Sequence, residues 1–323
     1  MTAMDRVRPS IPGYVVQATL GSGAHGHLFA AVDEHTGEPV AIKVLRLEDE
    51  RARARFYDEA RLLSRIRDPH VVTVYGVGEL ADGRPYIILE RFGDADLSRC
   101  SPPGVPAPLE FAIHMMTQLL AGLSAAHDLG IVHRDVKESN LLLDRDSMAA
   151  KLCDFGIARS LVPLPDQADP TSTKVVVGTP HYIAPERYRG VRRDPRSDLY
   201  SAGVVFHRLL TGRLPFDGPG LDEVAIARRA LMEDVPRPEG VPEALARVCL
   251  RLLDRDLQAR FQTARSAMEA LHYARFFGAD AGETLDAQPE QTVHVPSPSR
   301  PVWPMVLGIG LFLSVGLYWV FGG

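Results

Sequence analysis

The chain has 323 residues, enough for one large domain or two lobes with a sizeable core, and its 46% hydrophobic and 24% charged content is ordinary for a soluble globular protein. Its net charge of −5 provides no general basic field, which argues against nucleic acid as a partner. The three cysteines are scattered without metal-ligand spacing, which favours reduced thiols over disulfides or a zinc site.

The N-terminal part of the sequence predicts a hairpin built around a glycine-rich loop. Residues 1–13 form an extension with no apolar run or small-residue cleavage site, so a secretory signal is not expected. A strand over Tyr14–Leu20 leads into the pattern G-x-G-x-x-G at 21–26. A dinucleotide-binding turn shares this pattern but needs a helix after it. Strand-like runs follow instead, at 28–32 and 40–44, which favours a lid of backbone amides folded over phosphates.

A lysine and a glutamate stand out in the next two predicted elements. Lys43 closes a V-A-I-K string in the third strand, in a chain that contains only four lysines. A strand lysine usually belongs to a solvated face. Because lysine is so rare in this chain, one that stands where a flexible point charge is needed is more informative. The helix predicted over 53–66 contains Glu59 among its apolar positions, and we expect Glu59 to pair with Lys43. The alternative is that Glu59 is one acid among others in a charged helix.

Two further strands complete a small lobe, and a long helix opens the next part of the chain. The strands are predicted over Val71–Val77 and Tyr86–Leu89, and the lobe ends near Gly93. A Pro/Gly-containing loop then leads to a helix over 109–130. Its apolar side chains follow helical spacing, which predicts a core element and not a cofactor site.

The string from His133 to Asn140 carries the chemistry of the chain. It contains a carboxylate that can accept a proton, Asp135, and a lysine two residues later that can neutralise phosphate charge. Asn140 closes the string, and Asp154 opens a D-F-G string fourteen residues later; an amide and a carboxylate oxygen suit Mg²⁺. A single Asp or Asn in a loop is most often a turn residue, but the whole pattern predicts phosphoryl transfer.

These strings, in this order over residues 14–275, resemble the eukaryotic-type (Hanks-type) Ser/Thr protein kinases of bacteria. The resemblance implies an α+β fold of two lobes, a five-stranded antiparallel N-lobe at 14–93 and a mostly helical C-lobe at 94–277. It implies ATP-dependent phosphorylation of Ser/Thr hydroxyls on proteins, with Mg²⁺ or Mn²⁺ as the metal. In this family Asp135 orients the substrate hydroxyl, and the lysine at 137 points to Ser/Thr specificity.

The resemblance also assigns the nucleotide pocket. Adenine is held by hinge backbone groups between Glu90 and Phe92, and Lys43 contacts the α- and β-phosphates. The implied ATP-binding residues are Leu20, Gly21, Ser22, Gly23, Ala24, His25, Gly26, His27, Leu28, Ala41, Lys43, Leu89, Glu90 and Phe92. Two departures from the family pattern are His25 at the tip of the lid, where an aromatic is common, and Glu138, where proline is frequent.

The segment after the D-F-G string resembles an activation loop. It runs from Ile157 to Val177 and is rich in Pro, Asp, Ser and Thr. We expect Thr171 and Thr173 to be autophosphorylated and to order the loop on Arg134 and Arg159, because arginine forms charge-assisted contacts with phosphate. The alternative is an ordinary polar loop whose hydroxyls stay unmodified.

The stretch from Gly178 to Glu186 resembles the platform on which these kinases place a peptide. Thr179 is expected to form a hydrogen bond near Asp135 and Lys137. One functional alternative is a small-molecule phosphotransferase that shares the two lobes. A platform shaped for a peptide argues against it.

Three more charged residues have structural roles by resemblance. Glu186 is expected to form a buried ion pair with Arg260. Asp198 is expected to be the N-cap of a mostly apolar helix ending at Leu210 and to anchor the backbone of the catalytic loop.

The C-terminal part of the sequence predicts a membrane anchor. Residues 278–301 have the composition of a flexible linker, and 302–321 contain no charge. At ~1.5 Å per residue the latter run spans about 30 Å, which matches a bilayer core. Trp303 and Trp319 lie near its ends, and Arg300 precedes it, which places the kinase domain in the cytoplasm of a single-pass inner-membrane or plasma-membrane protein. A buried core helix is the alternative; bilayer anchoring would also favour a homodimer.

A membrane-anchored pseudokinase that only scaffolds partners is the main functional alternative. Such proteins usually lose the strand lysine, the proton acceptor or a metal ligand. Lys43, Asp135, Asn140 and Asp154 are all present, so the sequence favours an active enzyme in signalling.

Overall fold

The computed structural model of the protein describes residues 9–23, 26–46, 50–155, 179–191, 193–218 and 220–277. Within these ranges no helix combines the length and the apolar character needed to cross a bilayer. The linker and the membrane span predicted from the sequence lie outside the described residues.

The first lobe is a five-stranded antiparallel sheet with one helix, as the sequence predicts. Its strands follow the order β1-β2-β3-β5-β4, so only the last two exchange places relative to the chain. The elements are β1 (Tyr14–Gly23), β2 (Gly26–Asp33), β3 (Pro39–Leu45), α1 (Glu50–Leu63), β4 (Val74–Glu79) and β5 (Pro85–Glu90).

The two faces of β3 bury different clusters. Val40, Ile42 and Val44 are buried in one cluster confined to the sheet and its N-terminal approach, while Leu45 belongs to the cluster that includes α1 and the second lobe. Because side chains alternate along a strand, Lys43 shares the face of Leu45. The alternation in the sequence therefore directs the Lys43 ammonium group toward the second lobe.

The second lobe combines a small sheet with helices. The sheet has the order β6-β7-β8, and its first strand follows β5 in the chain. The elements are β6 (Ala95–Asp96), α2 (Leu97–Cys100), α3 (Leu109–His127), β7 (Leu141–Asp144), β8 (Ala149–Leu152), α4 (Pro185–Tyr188), α5 (Arg196–Thr211), α6 (Glu223–Met232), α7 (Glu243–Leu252) and α8 (Ala264–Phe277).

Helix α5 is the centre of the second lobe. Most of its residues are buried on every side, including Leu199, Phe206 and the charged Asp198. A helix that is buried all round needs neighbours on all faces, and α5 packs against both α3 and α7. A rigid element therefore lies directly under the catalytic loop.

The predicted strand over Val71–Val77 is shorter in the structure. The strand β4 begins only at Val74, because the preceding residues bond to the other lobe. The Val72 N–H donates to the Leu152 carbonyl at 3.0 Å, and the Leu152 N–H donates to the His70 carbonyl at 2.8 Å. Two backbone hydrogen bonds thus join the N-lobe segment at 70–72 to β8.

Candidate active site

The catalytic loop is held from below by Asp198. Its carboxylate accepts the backbone N–H groups of His133 at 2.7 Å and Arg134 at 2.8 Å, and it lies 2.9 Å from His127 Nε2. Burial alone would raise the pKa of Asp198, but its hydrogen bonds and the nearby imidazoles hold it below the ordinary value. The predicted anchor is present, and Asp198 is ionised in it.

The predicted N-cap role of Asp198 is wrong. The helix begins at Arg196, with Pro195 before it, so Asp198 lies inside the first turn. Its carboxylate therefore points to the loop and not to the helix's own amides. The position remains favourable, because a negative charge in the first turn interacts well with the helix dipole.

Arg134 adopts a left-handed backbone conformation, with φ of 66°. Such a conformation costs roughly 1–2 kcal/mol for a residue other than glycine. Two contacts fix it: the N–H group on Asp198, and the carbonyl, which accepts from Arg187 Nη1 at 3.0 Å. The sharp turn presents the next residue, Asp135, on the surface of the cleft.

His133 links the catalytic loop to the segment after β8 that carries Asp154. Its Nδ1 accepts the Asp135 N–H at 3.2 Å, and its Nε2 donates to the Cys153 carbonyl at 2.9 Å. Full burial lowers the pKa of His133, so the ring is neutral with its proton on Nε2. One neutral imidazole therefore sets the spacing between the two acidic residues.

Asp135 and Lys137 form a charged pair at the surface of the loop. Lys137 Nζ lies 3.1 Å from Asp135 Oδ2. Asn140 Nδ2 donates to the Asp135 backbone carbonyl at 2.7 Å, which closes the loop behind the pair. A carboxylate that can accept a proton and an ammonium that can neutralise phosphate are thus fixed side by side.

Asn140 and Asp154 suit a magnesium ion bound together with phosphate. The Cys153 N–H donates to the Asn140 carbonyl at 2.9 Å, which brings the start of the D-F-G string beside the catalytic loop. Because the Asn140 amide nitrogen is already bonded to Asp135, its oxygen is the end left for a cation. One amide oxygen and one carboxylate are few ligands, as Mg²⁺ prefers when phosphate oxygens and water complete its octahedron.

Lys43 contacts Asp154 directly, and the predicted Lys43–Glu59 ion pair is not formed. The Lys43 ammonium group bonds to Asp154 Oδ1. Burial pushes the pKa of Asp154 upward, and the Lys43 charge more than offsets this, so the pKa lies below its ordinary value. Glu59 Oε1 lies 3.6 Å from Arg134 Nη1 instead. In the structure each member of the predicted pair has a different partner: Lys43 pairs with Asp154, and Glu59 pairs with Arg134.

Glu90 and Lys151 form an ion pair at the hinge that the sequence did not predict. Glu90 Oε1 accepts from Lys151 Nζ at 2.6 Å, and Oε2 accepts the Thr73 N–H at 3.1 Å. The Glu90 N–H donates to the Thr73 carbonyl at 2.9 Å, so this donor is not open to adenine. The rarity of lysine was the one clue to Lys151.

The chain beyond Glu90 is pressed against β7. Gly93 has φ of 66°, and a Cβ at this position would lie 2.5 Å from the Leu143 carbonyl oxygen. Between Glu90 and Gly93, the Lys151 ammonium group lies over the Phe92 ring, with Nζ 4.9 Å from the ring centroid. Within the described residues no hydrogen bond engages the Phe92 backbone, which can therefore serve adenine.

The lid approaches the third strand closely at Gly26. Its φ is 143°, and a Cβ there would lie 2.0 Å from the Val44 carbonyl oxygen. The third glycine of the pattern is therefore required by the contact between β2 and β3. Ala24 and His25, at the tip of the lid, lie outside the described residues, while the remaining lid positions lie in β1 and β2.

Thr179 does not form the predicted hydrogen bond. In the part of the chain that the structure describes, its hydroxyl reaches neither Asp135 nor Lys137, which pair with each other. The Thr179 carbonyl accepts the Tyr182 N–H at 3.0 Å and shapes the start of the platform.

The platform is fixed at its far end by the predicted pair of Glu186 and Arg260. Arg260 is fully buried, and its two terminal nitrogens lie 2.8 and 3.1 Å from the two carboxylate oxygens. The guanidinium also donates to the carbonyls of Arg196 and Asp254, and Ser197 Oγ donates to Glu186 Oε1 at 2.7 Å. The Arg260 charge thus has a partner on each side.

The predicted phosphorylation sites cannot be placed. Thr171, Thr173 and Arg159 lie in residues 156–178, which are outside the described part of the chain. Arg134, the other predicted phosphate partner, is described and lies beside Glu59.

Comparisons with known proteins agree with this geometry. A family model described as "Protein kinase domain" matches residues 14–274. The chain is 39% identical over 264 residues to serine/threonine-protein kinase pkn2 of Myxococcus xanthus, covering 78% of this chain and 31% of that protein. It is 38% identical over 232 residues to serine/threonine-protein kinase PknL of Mycobacterium tuberculosis, covering 71% and 56%. It is 33% identical over 264 residues to the probable serine/threonine-protein kinase PknB of Lactococcus lactis, covering 79% and 41%. The chain spans between about a third and just over half of the length of these relatives.

Proposed function

The chain belongs to the protein kinase family, and on that premise we propose that it transfers the γ-phosphoryl group of ATP to serine and threonine hydroxyls of proteins. The observation that carries the proposal is one cleft in which Lys43 touches Asp154 while Asp135 and Lys137 lie on the adjoining loop. The matched relatives are described as serine/threonine-protein kinases, which supports the choice of acceptor.

The residues divide the work of the reaction. Asp135 accepts and orients the proton of the attacking hydroxyl, and Lys137 neutralises charge on the transferred phosphoryl group. Asn140 and Asp154 would hold Mg²⁺ bound with ATP, and the ion would supply further neutralisation of the phosphate oxygens. Lys43 contacts Asp154 in the structure, so Lys43 would have to leave this ion pair in order to bind phosphate.

The test is a transfer assay with the full chain. Incubation with γ-labelled ATP and Mg²⁺ should place label on serine and threonine of a protein substrate. Lys43→Ala should abolish the labelling, because it removes the phosphate-binding ammonium, while Arg99→Ala, a change at an exposed side chain, should not. Label on tyrosine would refute the proposed acceptor, and label unaffected by Lys43→Ala would refute the site. A scaffolding pseudokinase would give no label at all.

We extend the proposal to the activation loop. Phosphate on Thr171 or Thr173 would attract Arg134, whose guanidinium now lies beside Glu59. Autophosphorylation would then leave Glu59 without its cation and release it toward Lys43. Mass spectrometry of the active chain that finds both threonines unmodified would contradict this part.

We also propose that residues 302–321 anchor the enzyme to the inner or plasma membrane, with the kinase domain cytoplasmic and the anchored chains close enough to dimerise. The support is an uncharged run of bilayer length in the sequence. The full chain should float with lipid vesicles after extraction, and a chain ending at residue 301 should remain in the soluble fraction. Equal partition of the two would end the proposal.

A further inference from the structure

Glu138 is a buried carboxylate in the catalytic loop for which the phosphoryl-transfer chemistry provides no role. It lies between Lys137 and Asn140 in a short 3₁₀ turn, and only 2% of it is exposed. The sequence marks it as unusual for its family. A buried charge is costly unless it is paired and hydrogen-bonded, so its surroundings indicate its purpose.

Two elements of the second lobe meet the Glu138 carboxylate. The Tyr182 hydroxyl, from the platform, donates to Oε2 at 2.5 Å. Arg208, from α5, places Nη1 3.6 Å from Oε1, and within the described residues Oε1 has no hydrogen-bond partner. The same guanidinium reaches the Tyr182 hydroxyl at 3.4 Å and the Ser101 carbonyl at 3.5 Å. The carboxylate therefore stands between a platform phenol and a largely buried cation.

The contact fixes Tyr182 at both ends. Burial and the adjacent carboxylate both raise the pKa of Tyr182, so its hydroxyl stays protonated as a donor. Its backbone carbonyl accepts from Ser201 Oγ at 2.7 Å. The platform segment around Tyr182 is thus tied to α5 through its backbone and to the catalytic loop through its side chain.

We propose that Glu138 is a positioning residue that sets the peptide platform against the catalytic loop, and that its negative charge, balanced by Arg208, is required for this. The inference rests on the proposed kinase function. Asp135 and Asn140 are held by other contacts, to His133 and to the loop's own backbone. Loss of Glu138 should therefore affect the protein substrate and leave ATP binding intact.

The experiment measures steady-state kinetics of the full chain with a Ser/Thr peptide and with ATP. Glu138→Gln keeps an oxygen that can accept from Tyr182 but removes the charge that balances Arg208. Tyr182→Phe keeps the charge of Glu138 and removes the hydrogen bond itself, at almost constant volume. Each should raise the KM for the peptide by roughly 10-fold, with kcat and the KM for ATP unchanged within about twofold. The double variant should be little worse than either, because both changes act on the one contact between Glu138 and Tyr182.

A charge-removal variant provides the rescue. In the Glu138→Gln background, Arg208→Gln removes the unbalanced guanidinium and should recover part of the peptide KM. Asp146→Asn, an exposed change in the turn that follows β7, is the matched control and should change neither KM.

The outcomes separate the two proposals. Peptide KM unchanged in both Glu138→Gln and Tyr182→Phe overturns the positioning role, and so does a parallel loss of ATP affinity, which would indicate a general structural defect. Absence of phosphorylation by the unchanged chain refutes the proposed function, and the inference with it. If Glu138→Gln does not fold, Tyr182→Phe alone decides between the outcomes.

Discussion

Replacing Asp135 with asparagine should lower kcat for peptide phosphorylation by roughly 10²–10⁴-fold, the usual contribution of a positioned proton acceptor. Asparagine keeps the size of the side chain but cannot take a proton, and it leaves Lys137 without the carboxylate that lies 3.1 Å away. The KM for ATP should stay within about twofold, because the Asn140 contact uses the backbone carbonyl of Asp135.

Single-turnover kinetics with saturating ATP would measure this effect on the chemical step. Asp146→Asn, the exposed change in the turn that follows β7, controls for the substitution itself. A variant at Asp135 that retained most of its rate would show that another group accepts the proton, and it would remove the catalytic loop from the mechanism.

The second large effect concerns stability. Arg260→Met should lower the free energy of unfolding by roughly 3–5 kcal/mol, because it leaves the buried Glu186 carboxylate without its cation. Burial by itself raises the pKa of Glu186, and Arg260 is the main group that brings it below the ordinary value. The variant should therefore also take up a proton more easily at Glu186. Its instability should grow as the pH rises from the ordinary pKa of a glutamate through that raised pKa, and it should level off above it.

Denaturant unfolding of the full chain provides the measurement. Arg265→Met removes a surface arginine that lies 3.7 Å from Asp128, and it should cost only about 0–1 kcal/mol. The double variant Glu186→Leu with Arg260→Met should recover part of the loss, but not all of it, because the carbonyls of Arg196 and Asp254 also lose their donor. A cost below about 1 kcal/mol for Arg260→Met would contradict the importance of the pair.

The elements of the fold could be predicted where their signals are local. Alternation in β3 and helical spacing in α3 fix buried faces without knowledge of partners, and the catalytic loop is a short continuous string. The start of β4 could not be predicted, because Val72 bonds to β8 from a distant part of the sequence. The predicted N-cap at Asp198 was wrong because aspartate is a common capping residue, whereas this carboxylate accepts backbone N–H groups of the catalytic loop instead.

The pairing of charges in the site was the least predictable part. Lys43 pairs with Asp154 and not with Glu59, and the sequence cannot rank distances that depend on how the lobes close. Glu138 looked like a mere departure from a pattern, because Tyr182 and Arg208 stand 44 and 70 residues away from it in the chain. The sequence does not show the role of Lys151 for the same reason, since its partner Glu90 lies 61 residues earlier.

The contacts of Glu90 with Thr73 and Lys151 restrict the hinge between the two lobes. On the N-terminal side of the hinge, the carboxylate and the backbone N–H of Glu90 form hydrogen bonds with the backbone of Thr73. On the C-terminal side, Gly93 lies in close contact with β7. Within the described residues, Arg91 and Phe92 are the two positions between these contacts. Because two backbone hydrogen bonds also join residues 70–72 to β8, we expect the two lobes to rotate little about the hinge. We therefore expect nucleotide to enter and leave through the mouth of the cleft, past the lid, with little opening at the hinge.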